Sequence, residues 1–273
     1  MILALALAVI SVPVHVSTFT DPALFSPPVA NNRSPELSID FRLTTPFDNF
    51  QVALGARLPA TTLHIGEHAI QIGLDGCVWS ELGRASPGIY FPVFTADYLA
   101  AVPIMYRWRG LSAEFVLSHI SAHRVDGLPI EAVPRGEFKY SREFMHLRVS
   151  FEHSVGGFFL RVYAGGGGIG RSAPWDIKSP WFFGGGFEGA APSIGGVIRP
   201  MLAVDVTWNG DTGTVDSGIE AGFWLFPRAT SIAQVRATVG LYSGSDRRGI
   251  MLDAKAERVS FGIRIRFGDT PRL

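Results

Sequence analysis

Residues 106–124 read YRWRGLSAEFVLSHISAHR, and residues 137–163 read EFKYSREFMHLRVSFEHSVGGFFLRVY. Apolar and polar side chains alternate from Leu111 to Leu117 in the first stretch and from Met145 to Phe151 in the second. Alternation with a period of two predicts β-strands with one apolar face. These strands are longer than the five or six residues typical of soluble sheets, and about 9–11 residues are needed to cross a membrane in a barrel. The pair therefore predicts a hairpin of a transmembrane β-barrel.

The same alternation recurs along the chain and predicts about twelve strands. The candidates are 36–43, 50–58, 62–79, 95–108, 111–123, 138–153, 157–166, 181–189, 197–208, 215–226, 233–241 and 250–267. Short connections are expected near 58–61, 108–111, 153–157, 190–194 and 227–230, and longer ones near 76–91, 124–137, 169–180 and 243–249. Alternate short and long connections are typical of outer-membrane barrels, which have short periplasmic turns and long external loops.

Composition narrows the class further. The chain has 273 residues, 47% of them hydrophobic, but no run of about 18 apolar residues follows the N-terminus, which argues against a transmembrane helix. The 24 basic and 24 acidic residues balance, so no electrostatic argument favours nucleic acid as a partner. Cys77 is the single cysteine, which excludes an intrachain disulfide.

Three segments are predicted from the order of these patterns. Residues 1–17 are mostly apolar and are expected to be a secretory signal segment, although they contain no basic n-region and no clean small-x-small cleavage site. The alternatives are an N-terminal core helix or a start codon placed inside a longer signal. Residues 18–35, rich in Pro, Asn and Ser, are expected to be a lead-in linker, and residues 36–273 the barrel. The expected location is the bacterial outer membrane, with outer-membrane lipid or lipopolysaccharide and the barrel-assembly machinery as partners.

A soluble lipocalin-like barrel or sandwich is the alternative fold, because it also alternates apolar and polar faces. Charged residues recur in the middle of the predicted strands, on the face opposite the apolar one. They include Arg161, Arg199, Asp205, Glu220, Arg236, Arg264 and Arg266. Such charges suit a polar barrel lumen, where they could close the barrel or leave a narrow pore.

Residues 95–127 read TADYLAAVPIMYRWRGLSAEFVLSHISAHRVDG, followed by YSREF at 140–144 and FLRVYAGGGG at 159–168. This stretch resembles the bacterial domain-of-unknown-function family 1207. The sequence departs from the family pattern at Ala122, where a second serine is usual, and at Gly127, where an acidic residue often follows Asp126. The resemblance implies an outer-membrane β-barrel of unassigned activity.

The sequence His119-Ile120-Ser121 is the sharpest candidate site. His119 and Ser121 share the parity of Leu117, so both are expected to face lipid. Ser121 lies about 11 residues beyond the turn at Gly110. In a strand tilted by about 40°, this places Ser121 roughly 28 Å above the turn, near the edge of an apolar band of about 25 Å. On the next strand Ser141 and Glu143 also face outward, and a hairpin centred near residue 132 pairs Ser121 with Glu143. The prediction is a Ser–His–Glu triad of nucleophile, general base and orienting carboxylate.

This arrangement is similar to that of outer-membrane phospholipase and lipid A deacylase barrels, which use an H-x-S strand end and a third residue on the next strand. The Asn-Gly that follows H-x-S in the phospholipase is absent here, and the spacing to the third residue is longer. Alternatively, His119, Ser121 and Glu143 form an interfacial polar cluster without catalysis. A metal site at His119, His123 and Asp126 is disfavoured, because the two histidines lie about 13 Å apart on a straight strand.

Two further motif matches are interpreted as accidental. Residues 64–68 fit H-x-x-E-H, which needs a helix to bring its histidines together, and the glycines at 165–170 fit G-x-G-x-x-G, but no helix follows. No metal or cofactor is therefore expected. Three functional hypotheses remain: a barrel protein of unassigned role, an esterase of outer-leaflet lipid, and a narrow channel.

Overall fold

The computed structural model describes residues 13–43, 48–83, 92–125, 127–128, 130–133, 139–174, 176–226, 233–251 and 254–268. Within these ranges the chain forms thirteen strands and two short 3-10 helices, Ile130–Ala132 and Gly249–Met251. The strands are β1 (Val14–Thr18), β2 (Leu37–Arg42), β3 (Asp48–Ile65), β4 (His68–Gly83), β5 (Val93–Trp108), β6 (Leu111–Arg124), β7 (Tyr140–Val155), β8 (Phe158–Ala173), β9 (Trp181–Ala190), β10 (Ile198–Asn209), β11 (Thr214–Leu225), β12 (Ala233–Ser245) and β13 (Lys255–Phe267). Neither helix of these ranges is long and apolar enough to cross a membrane.

Twelve of the described strands, β2 to β13, close into an antiparallel barrel. Each pairs with the next along the chain, and β13 returns to pair with β2, where Ile263 lies opposite Ile39. Strands β3 to β8 have 14 to 18 residues, more than the about 9–11 needed to cross a membrane, and β3 and β8 are longer than the predicted strands 50–58 and 157–166. The predicted all-β, twelve-stranded barrel is confirmed.

The two faces of the wall differ as the alternation predicts. Outward side chains such as Leu117, Leu147 and Phe151 are about half exposed, whereas inward ones such as Glu114 and Arg161 are buried. A soluble barrel would place its apolar face inside, so the lipocalin-like alternative is excluded. The barrel therefore spans a membrane, with an apolar belt outside and a charged lumen inside.

The shortest connections lie at one end of the barrel, but the division by length is incomplete, because the connection 191–197 lies at that end and the shorter connection 210–213 lies at the other. Turns at residues 66–67, 109–110 and 156–157 lie at one end, and longer connections such as 174–180 lie at the other, here called the long-loop end. The predicted turn near 58–61 is wrong, because β3 continues to Ile65, and the predicted strand 62–79 is divided by the turn at 66–67. Pro59 lies at a register shift between β3 and β4, where a residue without an N–H is tolerated. The turn near 227–230 and residues 84–91 lie outside the described residues.

A segment that composition alone predicted as a linker lies inside the barrel. β1 pairs with the C-terminal residues of β3, from Thr61 to Ile65. The short β2 pairs only with the N-terminal part of β3 and leaves these residues available. The chain then enters the lumen, and residues 19–36 are called here the lumen segment. Leu24, Phe25 and Val29 of this segment are buried. The expected signal segment, 1–17, includes most of β1, and its removal stays a prediction.

Arginines of the barrel wall hold the lumen segment through its backbone. Four successive carbonyls, from Leu24 to Pro27, each accept a hydrogen bond from a different arginine at 2.7–3.2 Å; the donors are Arg107, Arg57, Arg161 and Arg266. A non-helical segment in a lumen has no regular backbone partners, so side-chain donors must satisfy its carbonyls. These contacts explain why charged residues recur in the middle of the strands.

Candidate functional site

His119 and Glu143 lie side by side on the outward face of the barrel. They are direct cross-strand partners in β6 and β7, and His119 Nδ1 lies 3.9 Å from Glu143 Oε1. Both side chains are about half exposed, and Arg171 Nη1 of β8 lies 3.8 Å from the same carboxylate oxygen. The pair stands near the long-loop end, five residues before β6 ends at Arg124. A carboxylate in this place can orient the imidazole.

The predicted pairing of Ser121 with Glu143 is wrong by two residues. Ser121 lies opposite Ser141, and Glu143 lies opposite His119, so the hairpin is centred at residue 131. A two-residue shift leaves every side chain on the same face, and alternation therefore cannot distinguish the two registers. The observed register places the carboxylate beside the histidine, where an orienting group of a triad belongs.

Ser121 shares the outward face with His119, two positions further along β6. It is half-buried, and its cross-strand neighbour in β5 is Tyr98. Among the residues that the structure describes, no side-chain hydrogen bond joins Ser121 to His119. Alternate residues of a strand lie about 6.6 Å apart, so the hydroxyl and the imidazole need a change of rotamer to meet.

The remaining predicted polar residues do not join this pair. His123 packs edge-on against Tyr98, with ring centroids 5.6 Å apart. Ser141 lies on the outward face opposite Ser121, and Asp126 lies outside the described residues. In the described part of the chain, no group of three or more His, Cys, Asp or Glu residues is placed to hold a metal ion. The H-x-x-E-H match spans the end of β3, a turn and the start of β4, without a helix.

An open groove runs along the outer wall beside His119. Cross-strand pairing places Gly76, Ala100, His119 and Glu143 in one row. Gly76 and Ala100 have little or no side chain, so the outer surface is recessed at these positions. A Cβ added at Gly76 would meet no atom within 4 Å. Larger apolar side chains border the groove, which has a volume of about 840 Å³; they are Leu58, Leu74, Val102, Leu117 and Met145. Sequence reasoning missed this groove, because its residues come from six strands and only their register aligns them.

The fold and the outward apolar belt define the class: this chain is a transmembrane antiparallel β-barrel. It belongs to the family described as protein of unknown function (DUF1207), whose profile matches residues 6–267. This confirms the family resemblance of residues 95–168.

Among solved structures, the chain is similar to outer membrane phospholipase A from Escherichia coli. The two share 13% sequence identity and a TM-score of 0.51, over 87% of this chain and 93% of that one. An active-site mutant of the same Escherichia coli protein gives 14% identity and a TM-score of 0.52, over 86% and 90% of the two chains. A search of curated proteins gave no match. At this level of identity the similarity shows a shared fold alone.

Proposed function

We propose that this protein is a lipid esterase of the bacterial outer membrane, with Ser121 as nucleophile, His119 as general base and Glu143 as orienting carboxylate. The observation that carries the proposal is the cross-strand opposition of His119 and Glu143, 3.9 Å apart, on the lipid-facing wall. Ser121 lies on the same face, two residues from the histidine. The barrel fold, shared with outer-membrane proteins, supports this location and insertion by the barrel-assembly machinery.

The proposed reaction is acyl transfer through the serine hydroxyl. In the substrate complex the 3.9 Å between His119 Nδ1 and Glu143 Oε1 must shorten to hydrogen-bond distance, so that Glu143 accepts a hydrogen bond from Nδ1–H and Nε2 is able to accept the Ser121 proton. Ser121 Oγ attacks the ester carbonyl, the ester C–O bond breaks, and His119 returns the proton to the departing alcohol. Water then attacks the acyl-serine with the same histidine as base, releasing the fatty acid and restoring the hydroxyl.

The groove supplies a place for the substrate's acyl chain. It is mostly apolar, it opens to the lipid side, and it runs past His119 and Glu143. An acyl chain lying over Gly76 and Ala100 would bring its ester to the level of the histidine. Binding there supplies the reason for Ser121 to rotate towards His119, since catalytic hydrogen bonds often tighten only in the substrate complex. Outer-leaflet phospholipid or lipopolysaccharide is the substrate class that reaches this surface.

The first test is fatty-acid release from phospholipid in mixed micelles by the purified full chain. Ser121→Ala is expected to lower the rate by at least about 100-fold, since positioned acid–base groups typically contribute 10²–10⁴-fold. Ser141→Ala is the matched control, because Ser141 lies on the same face directly across from Ser121 and has no role in the mechanism. Equal release by Ser121→Ala and the parent protein refutes the proposed activity.

A second test addresses the groove. Gly76→Phe is expected to fill it, so that the KM for long-chain lipid rises while hydrolysis of a short-chain ester, which needs no groove, is unchanged. An unchanged KM for both esters excludes the groove as the acyl site. The narrow-channel alternative is disfavoured, because the lumen segment and its arginine contacts occupy the barrel interior.

A further inference from the structure

A second cavity lies inside the barrel, between the lumen segment and the long-loop end. Its volume is about 250 Å³. The charged part of its lining has more basic than acidic groups. The basic residues include Arg33 of the lumen segment, Arg142 of β7 and Arg247 of the loop after β12, and the acidic residues are Asp75 and Asp211. The apolar part includes Leu99, Phe144 and Phe182. This composition resembles a small-molecule site, in which apolar walls surround a few converging polar groups.

Two guanidinium nitrogens at this cavity have no acceptor among the described residues. Arg142 is only 8% exposed; its Nε donates to Ser172 Oγ at 3.3 Å and its Nη1 to Asp211, but its Nη2 has no hydrogen-bond partner. Arg33 donates from Nη2 to Asp97 at 2.5 Å, and its Nη1 has no partner. Neither ring nitrogen of His146 makes a hydrogen bond, but its Nε2 already lies 3.6 Å from Glu114 Oε1. Buried donors of this kind call for an acceptor that the chain itself does not supply.

We propose that this cavity binds a small organic anion, a carboxylate or a phosphate attached to an apolar group. The unused nitrogens of Arg142 and Arg33 would donate to the anion, because guanidinium groups match the oxygens of carboxylates and phosphates. Phe144 and Phe182 would pack against the apolar group. The cavity has room for about eight water-sized groups, which fits a single ring that carries one acidic group.

This site is separate from the proposed esterase site. His119 and Glu143 face lipid. Arg142 and Phe144, which precede and follow Glu143 in β7, point to the opposite side of the sheet and face the lumen. The two sites therefore lie on opposite sides of the same wall. Loss of esterase activity in Ser121→Ala would leave anion binding intact, and loss of anion binding would not require loss of hydrolysis.

The experiment is isothermal titration of the folded full chain in detergent with benzoate, phenyl phosphate and the neutral benzyl alcohol. At least one anion is expected to bind at least tenfold more tightly than benzyl alcohol. Benzoate alone identifies a carboxylate ligand, phenyl phosphate alone a phosphate ligand, and binding of both supports the shared chemistry. No binding of either anion at millimolar concentration, or equal binding of benzyl alcohol, overturns the proposal.

Variants assign the binding to the cavity. Arg142→Gln is expected to weaken anion binding at least tenfold, and Arg109→Gln, at an exposed turn at the opposite end, is expected to leave it unchanged. If Arg142→Gln does not fold, Arg33→Lys is the second variant, because it keeps a positive charge for Asp97 but loses the unused Nη1 donor. Anion binding equal to that of the parent in the folded variant excludes this cavity as the site.

Discussion

Glu36, at the junction of the lumen segment and β2, provides the sharpest test of how the lumen is held. Its carboxylate contacts three wall arginines: Arg236 at 2.8 Å, Arg264 at 3.1 Å and Arg266 at 3.1 Å. Asp40 and Glu220 complete the cluster through Arg264 and Arg236. Three arginines thus face three carboxylates in a site that is almost fully buried. Glu36→Gln keeps the shape of the side chain but leaves one positive charge uncompensated.

The expected loss in the free energy of unfolding is about 3–5 kcal/mol, the usual cost of removing one partner from a buried ion pair. No cavity contributes to this figure, because Gln and Glu have similar volumes. Arg236→Gln in the Glu36→Gln background restores the charge balance. The double variant should therefore lose less stability than the sum of the two single variants.

The assay is urea unfolding of the protein folded into phospholipid vesicles, followed by the fluorescence of its six tryptophans. Glu67→Gln is the control, because Glu67 forms an exposed ion pair with Arg109 Nε at 2.8 Å and should show no measurable loss. If Glu36→Gln loses less than about 1 kcal/mol, or no more than Glu67→Gln, the Glu36 cluster does not hold the lumen segment.

Three further predictions follow from particular positions. Gly186→Ala should cost about 1–3 kcal/mol, because its Cβ would overlap a backbone oxygen of β10, while Gly76→Ala, with open space around it, should cost almost nothing in the same urea assay. Burial alone would raise the pKa of the Asp246 carboxyl in the loop after β12, but Arg258 and a second arginine outweigh it and hold the pKa at about 2. That stabilisation is complete above the unfolded pKa of about 3.9 and is lost as the pH falls towards 2, so hydrogen exchange in this loop should rise over that range, and Asp246→Asn should abolish the dependence. In planar bilayers the protein should show no steady conductance, and a porin-like current would contradict a lumen blocked by the lumen segment.

The candidate site shows where prediction from sequence reached its limit. The alternation of apolar and polar residues along β6 and β7 correctly predicted that His119, Ser121 and Glu143 lie on the outward face. Successive side chains of a strand point to opposite faces, so their direction can be read from the local sequence. The pairing of Ser121 with Glu143 was wrong, because register depends on how the connecting loop closes. The roles of the three residues in catalysis stay predictions.

The lumen segment was beyond reach for a different reason. Its proline-rich composition is typical of a linker, and nothing local marks it as buried. Its burial depends on partners far away in the chain, such as Arg266, which donates to Pro27 O across 239 positions, and Arg161, which donates to Ser26 O across 135. The charged residues in the middle of the strands indicated a polar interior, but not which segment would occupy it.

The amino-acid sequence by itself determined the class of fold, the family and the side of the wall on which each strand residue lies, since these follow from alternation and local motifs. Only the tertiary structure decided that His119 faces Glu143, that Gly76 and Ala100 open a groove beside them, and that the segment of residues 19–36 enters the lumen. Each of these depends on register or on contacts between distant residues. Such features exist only once the barrel has closed.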